Sequence, residues 1–322
     1  MTPITIHIGM NKTGTSALQA ALHRNRRALL KAGFHYPDTG LGSLSEGAGL
    51  HYRFSESFLR DAATARTITA ALLREIDERN ADHAFVSSEF LVELKDLTAL
   101  AEAFAGRDVR VLVYLRRHDH WLPSLFAQAV KTRPQPPWGP SIEDFIDFVR
   151  TRSTHYYRFG ALLERWSEAF GRDAMIVRTY GPGGTTDTVA DVFDLFGIDP
   201  AAVPGLTLPK GRVNGAPSRR QLAAIDHLQR ARIPAFDRIR LVDRILSLDD
   251  GEKPRRLMTQ ATARALVEEH AADYAEIART YLGRADGILF DEPMPEPGGP
   301  DRVALWPGEG ITVMTELLRE AV

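Results

Sequence analysis

The chain of 322 residues contains no cysteine. Disulfide staples, thiolate nucleophiles, Cys-ligated zinc and iron–sulfur clusters are therefore excluded. No apolar run approaches the roughly 20 residues that a membrane-spanning helix needs. The start, MTPITIHIGMNKTGTS, lacks the basic and then apolar pattern of a cleaved secretion signal. Together these absences predict a cytoplasmic protein with no membrane span. Net charge is scarce too: 40 Lys and Arg stand against 42 Asp and Glu, a balance of −2. Such a total gives no reason to expect a nucleic-acid partner. Neither an HExxH pair nor an EF-hand loop occurs, so no metal is expected.

What is present is ordinary globular composition, 44% hydrophobic and 25% charged. A chain of this length buries a full core without staples. β-branched and apolar runs predict strands at 5–10, 34–37, 84–88, 109–115 and 174–177. The run VRVLVYL at 109–115 is the strongest of them and reads as buried on both faces. Helical periodicity covers 17–31, 63–79, 120–131, 142–150, 157–170 and 188–196. Further helices are expected at 218–232, 236–246, 259–281 and 308–318. Strands alternating with helices imply a mostly parallel sheet. The expected fold class is α/β, a three-layer α/β/α sandwich with a helical C-terminal region. We read one domain over 1–322, an α/β core over 1–200 with residues 201–322 packed on it. No internal repeat is found.

The most informative segment is Gly9-Met10-Asn11-Lys12-Thr13-Gly14-Thr15-Ser16, between the first strand and the first helix. Loop amides and a helix N-terminus converge there and favour an anion. Gly14 permits close backbone approach. Lys12 adds a mobile cation, and Thr13, Thr15 and Ser16 add hydroxyl donors. No Asp or Glu occurs between Met1 and Pro37, whereas Lys12, Arg24, Arg26, Arg27 and Lys31 do. Gly9 and Gly14 keep the Walker A separation, but Thr15 rather than lysine follows Gly14. The lysine lies inside the loop instead, which weakens an ATPase or GTPase reading. A plain helix-capping turn is the structural alternative.

The stretch IHIGMNKTGTSALQAALHRNRRALLKAGFHYP resembles the opening of the bacterial sulfotransferases that use 3′-phosphoadenosine 5′-phosphosulfate (PAPS). Their first loop has a Lys–(Ser/Thr)–Gly–Thr–(Ser/Thr) core, matched by Lys12 to Ser16 at every position. The resemblance implies a P-loop NTPase-like fold. It implies that Lys12, Thr13, Gly14, Thr15 and Ser16 hold the 5′-phosphosulfate. It also implies that Lys12 reaches the bridging oxygen of the leaving group, adenosine 3′,5′-bisphosphate (PAP). The family's second motif has an Arg at a strand end and a Ser eight positions later, on the 3′-phosphate. Arg116 and Ser124 have that separation, and Tyr114-Leu115-Arg116-Arg117 followed by Trp121 is similar to bacterial members.

An Arg at the carboxyl end of a parallel strand grips phosphate well on physical grounds alone. The alternative is that Arg116 and Arg117 are surface charges paired with Asp119. A third basic stretch, 205–220, carries Lys210 and Arg212, which loosely resemble the family's late loop over the 3′-phosphate. Resemblance is strongest over 4–37 and 84–131.

Sulfuryl transfer to a hydroxyl needs a base and a cation. In related enzymes a His or Glu just after the equivalent strand is the base, and the resemblance implies that role for Glu89, directly after the strand at 84–88, with Ser87 or Ser88 beside it to orient the donor. The alternative is a carboxylate at a helix N-terminus or a structural partner of a basic residue. His51 is a second candidate base. His118 and His120 read as parts of the nucleotide motif or as exposed side chains. Trp121 and Trp138 suit either the core or stacking on an acceptor sugar. The expected function is transfer from PAPS to a hydroxyl of a small-molecule or carbohydrate acceptor, with an amine as the less favoured alternative, and without metal. Two other readings stay open: a Mg²⁺-dependent phosphotransferase with a modified loop, and a non-catalytic nucleotide-binding module. The oligomeric state and the acceptor have no readable code.

Overall fold

The computed structural model describes residues 1–42, 49–208, 217–248 and 257–296, together with Thr315. The described residues form two compact units. The first takes those within Met1–Arg116, His155–Gly211 and Ala271–Glu292. The second takes those within Arg117–Thr154, Arg212–His270 and Pro293–Val322.

The first unit is built on five strands: β1 (Ile4–His7), β2 (Phe34–His35), β3 (His83–Ser87), β4 (Val109–Leu115) and β5 (Met175–Thr179). Their spatial order is β2-β3-β1-β4-β5. Every pairing is parallel. The fold class is thus the expected one, a parallel sheet flanked by helices. Parallel strands need helical crossovers, which cover both faces and explain the unbroken apolar runs. All four β1 residues are buried, and so are the last five of β4. Alternation sorts the β4 side chains between the faces. Leu112 and Tyr114 join Leu18, Ala21, Leu22 and Leu29 of the helix Thr15–Lys31. Val189, Val192 and Phe193 of the helix Thr188–Leu195 complete that layer. The helix Phe159–Phe170, with Leu162, Leu163 and Trp166 buried, packs on β4 and β5.

Register fixes where the strands end. His7 lies opposite Ser87 of β3 and Leu112 of β4. The strand β4 runs three residues further, to Leu115, about 10 Å at the usual rise. The first helix begins at Thr15, two residues earlier than expected, immediately after Gly14. The first strand stops at His7, so residues 8–10 belong to the loop. The helices Tyr52–Arg60 and Thr98–Ala103 were not expected; both are short.

The second unit is helical. His118–Thr132 packs against Ile142–Arg152, Arg219–Arg230 and Gln260–Glu269. Trp121 and Trp138 are 1% and 5% exposed. Both are core residues, so stacking on an acceptor sugar is ruled out by burial. The single helix expected over 259–281 is two, Gln260–Glu269 and Ala271–Leu282, and they fall in different units. The break is at His270, a buried ring stacked on His118 at 3.6 Å. The helix expected at 308–318 lies outside the described residues apart from Thr315. No described helix is long and apolar enough to cross a membrane.

Leu22 is fully buried in the layer between the first helix and the sheet. Replacing it with alanine removes methylene burial and leaves a cavity. The Leu22→Ala variant is expected to lose about 2–5 kcal/mol in urea unfolding. A loss below about 1 kcal/mol would contradict this packing.

Candidate functional site

The order of the strands reverses at β1, which sits between β3 and β4. Ligands of open α/β sheets bind outside the carboxyl ends of strands at such a point. Three segments leave the sheet there: the loop after β1, Glu89 after β3 and Arg116 after β4.

The loop winds through left-handed backbone at Gly9 (φ 57°), Lys12 (φ 70°) and Gly14 (φ 81°). Turns of this kind direct successive N–H groups inward and favour an anion. Gly9 is required twice over. Besides its φ, a Cβ there would lie 3.0 Å from the Cα of Glu89. Gly14 is equally confined, since a Cβ would lie 2.9 Å from Thr188 Oγ1. The Thr13 hydroxyl donates to the Met10 carbonyl at 2.6 Å and closes the turn. Arg116 Nη1 donates to the Lys12 carbonyl at 3.0 Å, with its guanidinium over the Tyr180 ring at 5.6 Å. A charged donor thus holds the one non-glycine residue of the loop that has a positive φ. Thr188 Oγ1 donates to the Gly14 carbonyl at 3.2 Å. The helix starting at Thr15 has no side-chain cap and no acidic residue in its first turn. Its positive end is left for an anion rather than neutralised from within.

Lys12 is half-buried, and burial lowers its pKa. Glu89 opposes that shift and Arg116 reinforces it, so all three charges sense one another. Glu89 opens the 3₁₀ turn Glu89–Glu93. Its Oε2 accepts from Thr15 Oγ1 at 2.6 Å. Burial, with Glu89 nearby, raises the carboxyl of Glu93. The first unit therefore gathers Lys12, Thr13, Gly14, Thr15, Glu89 and Arg116. Ser16 is exposed on the first helical turn.

Ser124 is half-buried on the helix His118–Thr132 of the second unit. Arg117, not Arg116, takes Asp119, through contacts of 2.8 and 2.9 Å between nearly buried side chains. His118 is a buried core ring, and His120 lies 3.8 Å from Asp119. Lys210 and Arg212 lie outside the described residues. The hydroxyl of Ser87 meets His7 Nδ1 at 2.9 Å and Gln19 Nε2 at 3.2 Å. That of Ser88 meets Ser55 at 2.7 Å. Both serines are buried, so neither is placed to orient a ligand. His51 is fully buried, with Nε2 3.1 Å from the Pro37 carbonyl and Nδ1 accepting from the Ser87 amide at 3.2 Å. Both nitrogens are engaged, which fits a neutral structural ring.

Tyr180 and Thr188 were missed. Their signal was weak: Thr188 was recognisable only as a helix start, and nothing local ties either to the loop. An open groove of about 510 Å³ lies against β5, lined by Arg178, Asp191, Tyr281 and Arg284 among others. None of its lining residues belongs to the loop. Its arginines are already matched, Arg178 with Asp191 at 2.6 Å and Arg284 with Asp291 at 2.7 Å. By charge, the loop is the better anion site.

No family model matches the chain. An uncharacterized protein of Archaeoglobus fulgidus is 25% identical over 221 residues, which is 64% of this chain and 56% of the relative. The chain thus spans little more than half the length of the curated relative it matches. A crystal structure of a sulfotransferase from Alicyclobacillus acidocaldarius is similar at 18% identity with a TM-score of 0.38, covering 76% of this chain and 96% of that one.

The buried histidines generate a pH prediction. Burial lowers His7 to about 3 and His51 to about 4. Unfolded, both titrate near 6.5, so the unfolded chain binds more protons below that pH. Stability then rises with pH and is lost as pH falls from about 6.5 toward 4, by up to about 1.4 kcal/mol per unit for each ring. Glu93 and Asp226, raised by burial, act with the opposite sign near the carboxylate range. Urea midpoints are expected to drop between pH 7 and pH 5. A flat or rising profile would contradict neutral burial of these rings.

Proposed function

We propose that this protein is a sulfotransferase that takes a sulfuryl group from PAPS and delivers it to a hydroxyl of a small-molecule or carbohydrate acceptor. One observation carries the reading. A left-handed, glycine-bounded loop brings a lysine and an uncapped helix N-terminus to the strand end where Glu89 follows the neighbouring β3. The Lys12-to-Ser16 motif supports the same reading from the sequence side.

The loop suits a phosphosulfate group. Its two glycines sit where a Cβ would press on Glu89 or Thr188, and no acid in the first helical turn competes with the ligand. The donor, when bound, supplies an activated sulfuryl group on a phosphate leaving group. The amides at the helix start and the Lys12 ammonium neutralise charge on that group. Lys12 stabilises the oxygen from which sulfur departs. Glu89 takes the proton of the acceptor hydroxyl as its oxygen attacks sulfur from the opposite side. Arg116 keeps Lys12 in place through its carbonyl and adds positive charge at the end of β4.

Thermal unfolding with PAP, ADP, ATP and AMP, each with and without Mg²⁺, tests the reading. A ligand at 100 times its Kd stabilises by about 2.7 kcal/mol, a readily measured shift. The expected result is a metal-independent shift for PAP that exceeds those for ADP and AMP and shrinks in Lys12→Ala. Stabilisation only by ADP or ATP with Mg²⁺ would overturn the reading in favour of a phosphotransferase.

A further inference from the structure

We propose that Thr15 is the positioning residue for Glu89, its hydroxyl serving the base and not the anion in the loop. The inference rests on the sulfotransferase reading and deepens it. Thr15 Oγ1 stands 2.6 Å from Glu89 Oε2. An ionised carboxylate only accepts, so the hydroxyl must donate. A hydroxyl has one proton to give. While it is committed to Glu89, none remains for an oxygen of a bound phosphosulfate, which also only accepts. The loop amides and Lys12 are left to hold the anion.

The surroundings favour a fixed alignment. Thr15 is 3% exposed and is the first residue of its helix. Its branched side chain has few rotamers there. The backbone of Glu89 is held as closely as its carboxylate, because Gly9 packs against the Glu89 Cα and leaves no room for a Cβ. One turn of chain thus fixes Glu89 at both ends. Oε2 is occupied by Thr15, and Oε1 has no hydrogen bond among the described residues. In the transfer step the bond from acceptor oxygen to sulfur forms and the bond from sulfur to phosphate oxygen breaks. The acceptor proton goes to Oε1, and Lys12 faces the charge left on the phosphate.

The test needs no identified acceptor, because water serves as one. Two quantities are measured: the Kd of PAP by calorimetry, and the turnover of saturating PAPS to PAP and sulfate. Thr15→Val is expected to lower turnover about tenfold to a hundredfold, a part of the roughly 10²- to 10⁴-fold that a positioned base contributes, because Glu89 itself is kept. Its PAP Kd should stay within about threefold of the parent, as for an interaction made only in the transition state. Thr15→Ser should restore turnover to within about threefold, because the hydroxyl is kept. In a Glu89→Gln background, Thr15→Val should cause no further loss, since it acts through the base. Thr15→Ala replaces the valine variant if that fails to fold. A PAP Kd weakened by about tenfold or more would assign Thr15 to the anion and overturn the proposal. Unchanged turnover in Thr15→Val, with the parent binding PAP and consuming PAPS, would overturn the proposal alone. No PAP binding by the parent would overturn the underlying reading and this proposal together.

Discussion

The strand β1 is bonded along both edges and buried on both faces, and the candidate site follows from that confinement. A strand so placed leaves the sheet only through its end. The chain emerges between the ends of β3 and β4, with the Ile8 amide on the Leu112 carbonyl and the Ser88 amide on the His7 carbonyl. Whatever follows β1 must share space with whatever follows its two neighbours. Gly9 has to be a glycine because Glu89 is already there. Arg116, carried beyond the others by the longer β4, returns to the loop through the Lys12 carbonyl. Packing thus converts three separate chain segments into one set of charges.

The electrostatics follow from the same crowding. Lys12 is partly withdrawn from water beside another cation, which costs free energy unless an anion compensates. Glu89 compensates in part, and a bound anion would complete the balance. The first helical turn contributes in the same sense because it brings no acid of its own. The neutral histidines beneath, His7 and His51, are of another kind. Their nitrogens tie β1, β3 and the chain around Pro37 together, and they add no charge to the site.

Much of this is legible in the sequence alone. The run VRVLVYL identified β4, and the alternation of strands and helices identified a parallel sheet. The loop at 9–16 stood out because glycines, hydroxyls and a lysine cluster without acids. Local signals reached no further. Nothing near residue 180 shows that Tyr180 lies under Arg116, because that contact depends on β5 pairing with β4. The break at His270 was hidden because both flanking helices share one periodicity. The tie from Thr15 to Glu89 spans 74 residues and exists only because β3 lies beside β1. His51 illustrates the converse. Its chemistry suited a base, and only burial shows that both nitrogens are occupied.

The central proposal is that the loop at the end of β1 holds the 5′ group of a nucleotide donor. A crystal structure of the complete chain with PAP bound tests it most directly. The account predicts the 5′-phosphate within hydrogen-bond distance of the Gly14 to Ser16 amides and of Lys12 Nζ, with the bond from Thr15 to Glu89 intact. A nucleotide seated in the groove along β5, with the loop left empty, would contradict it.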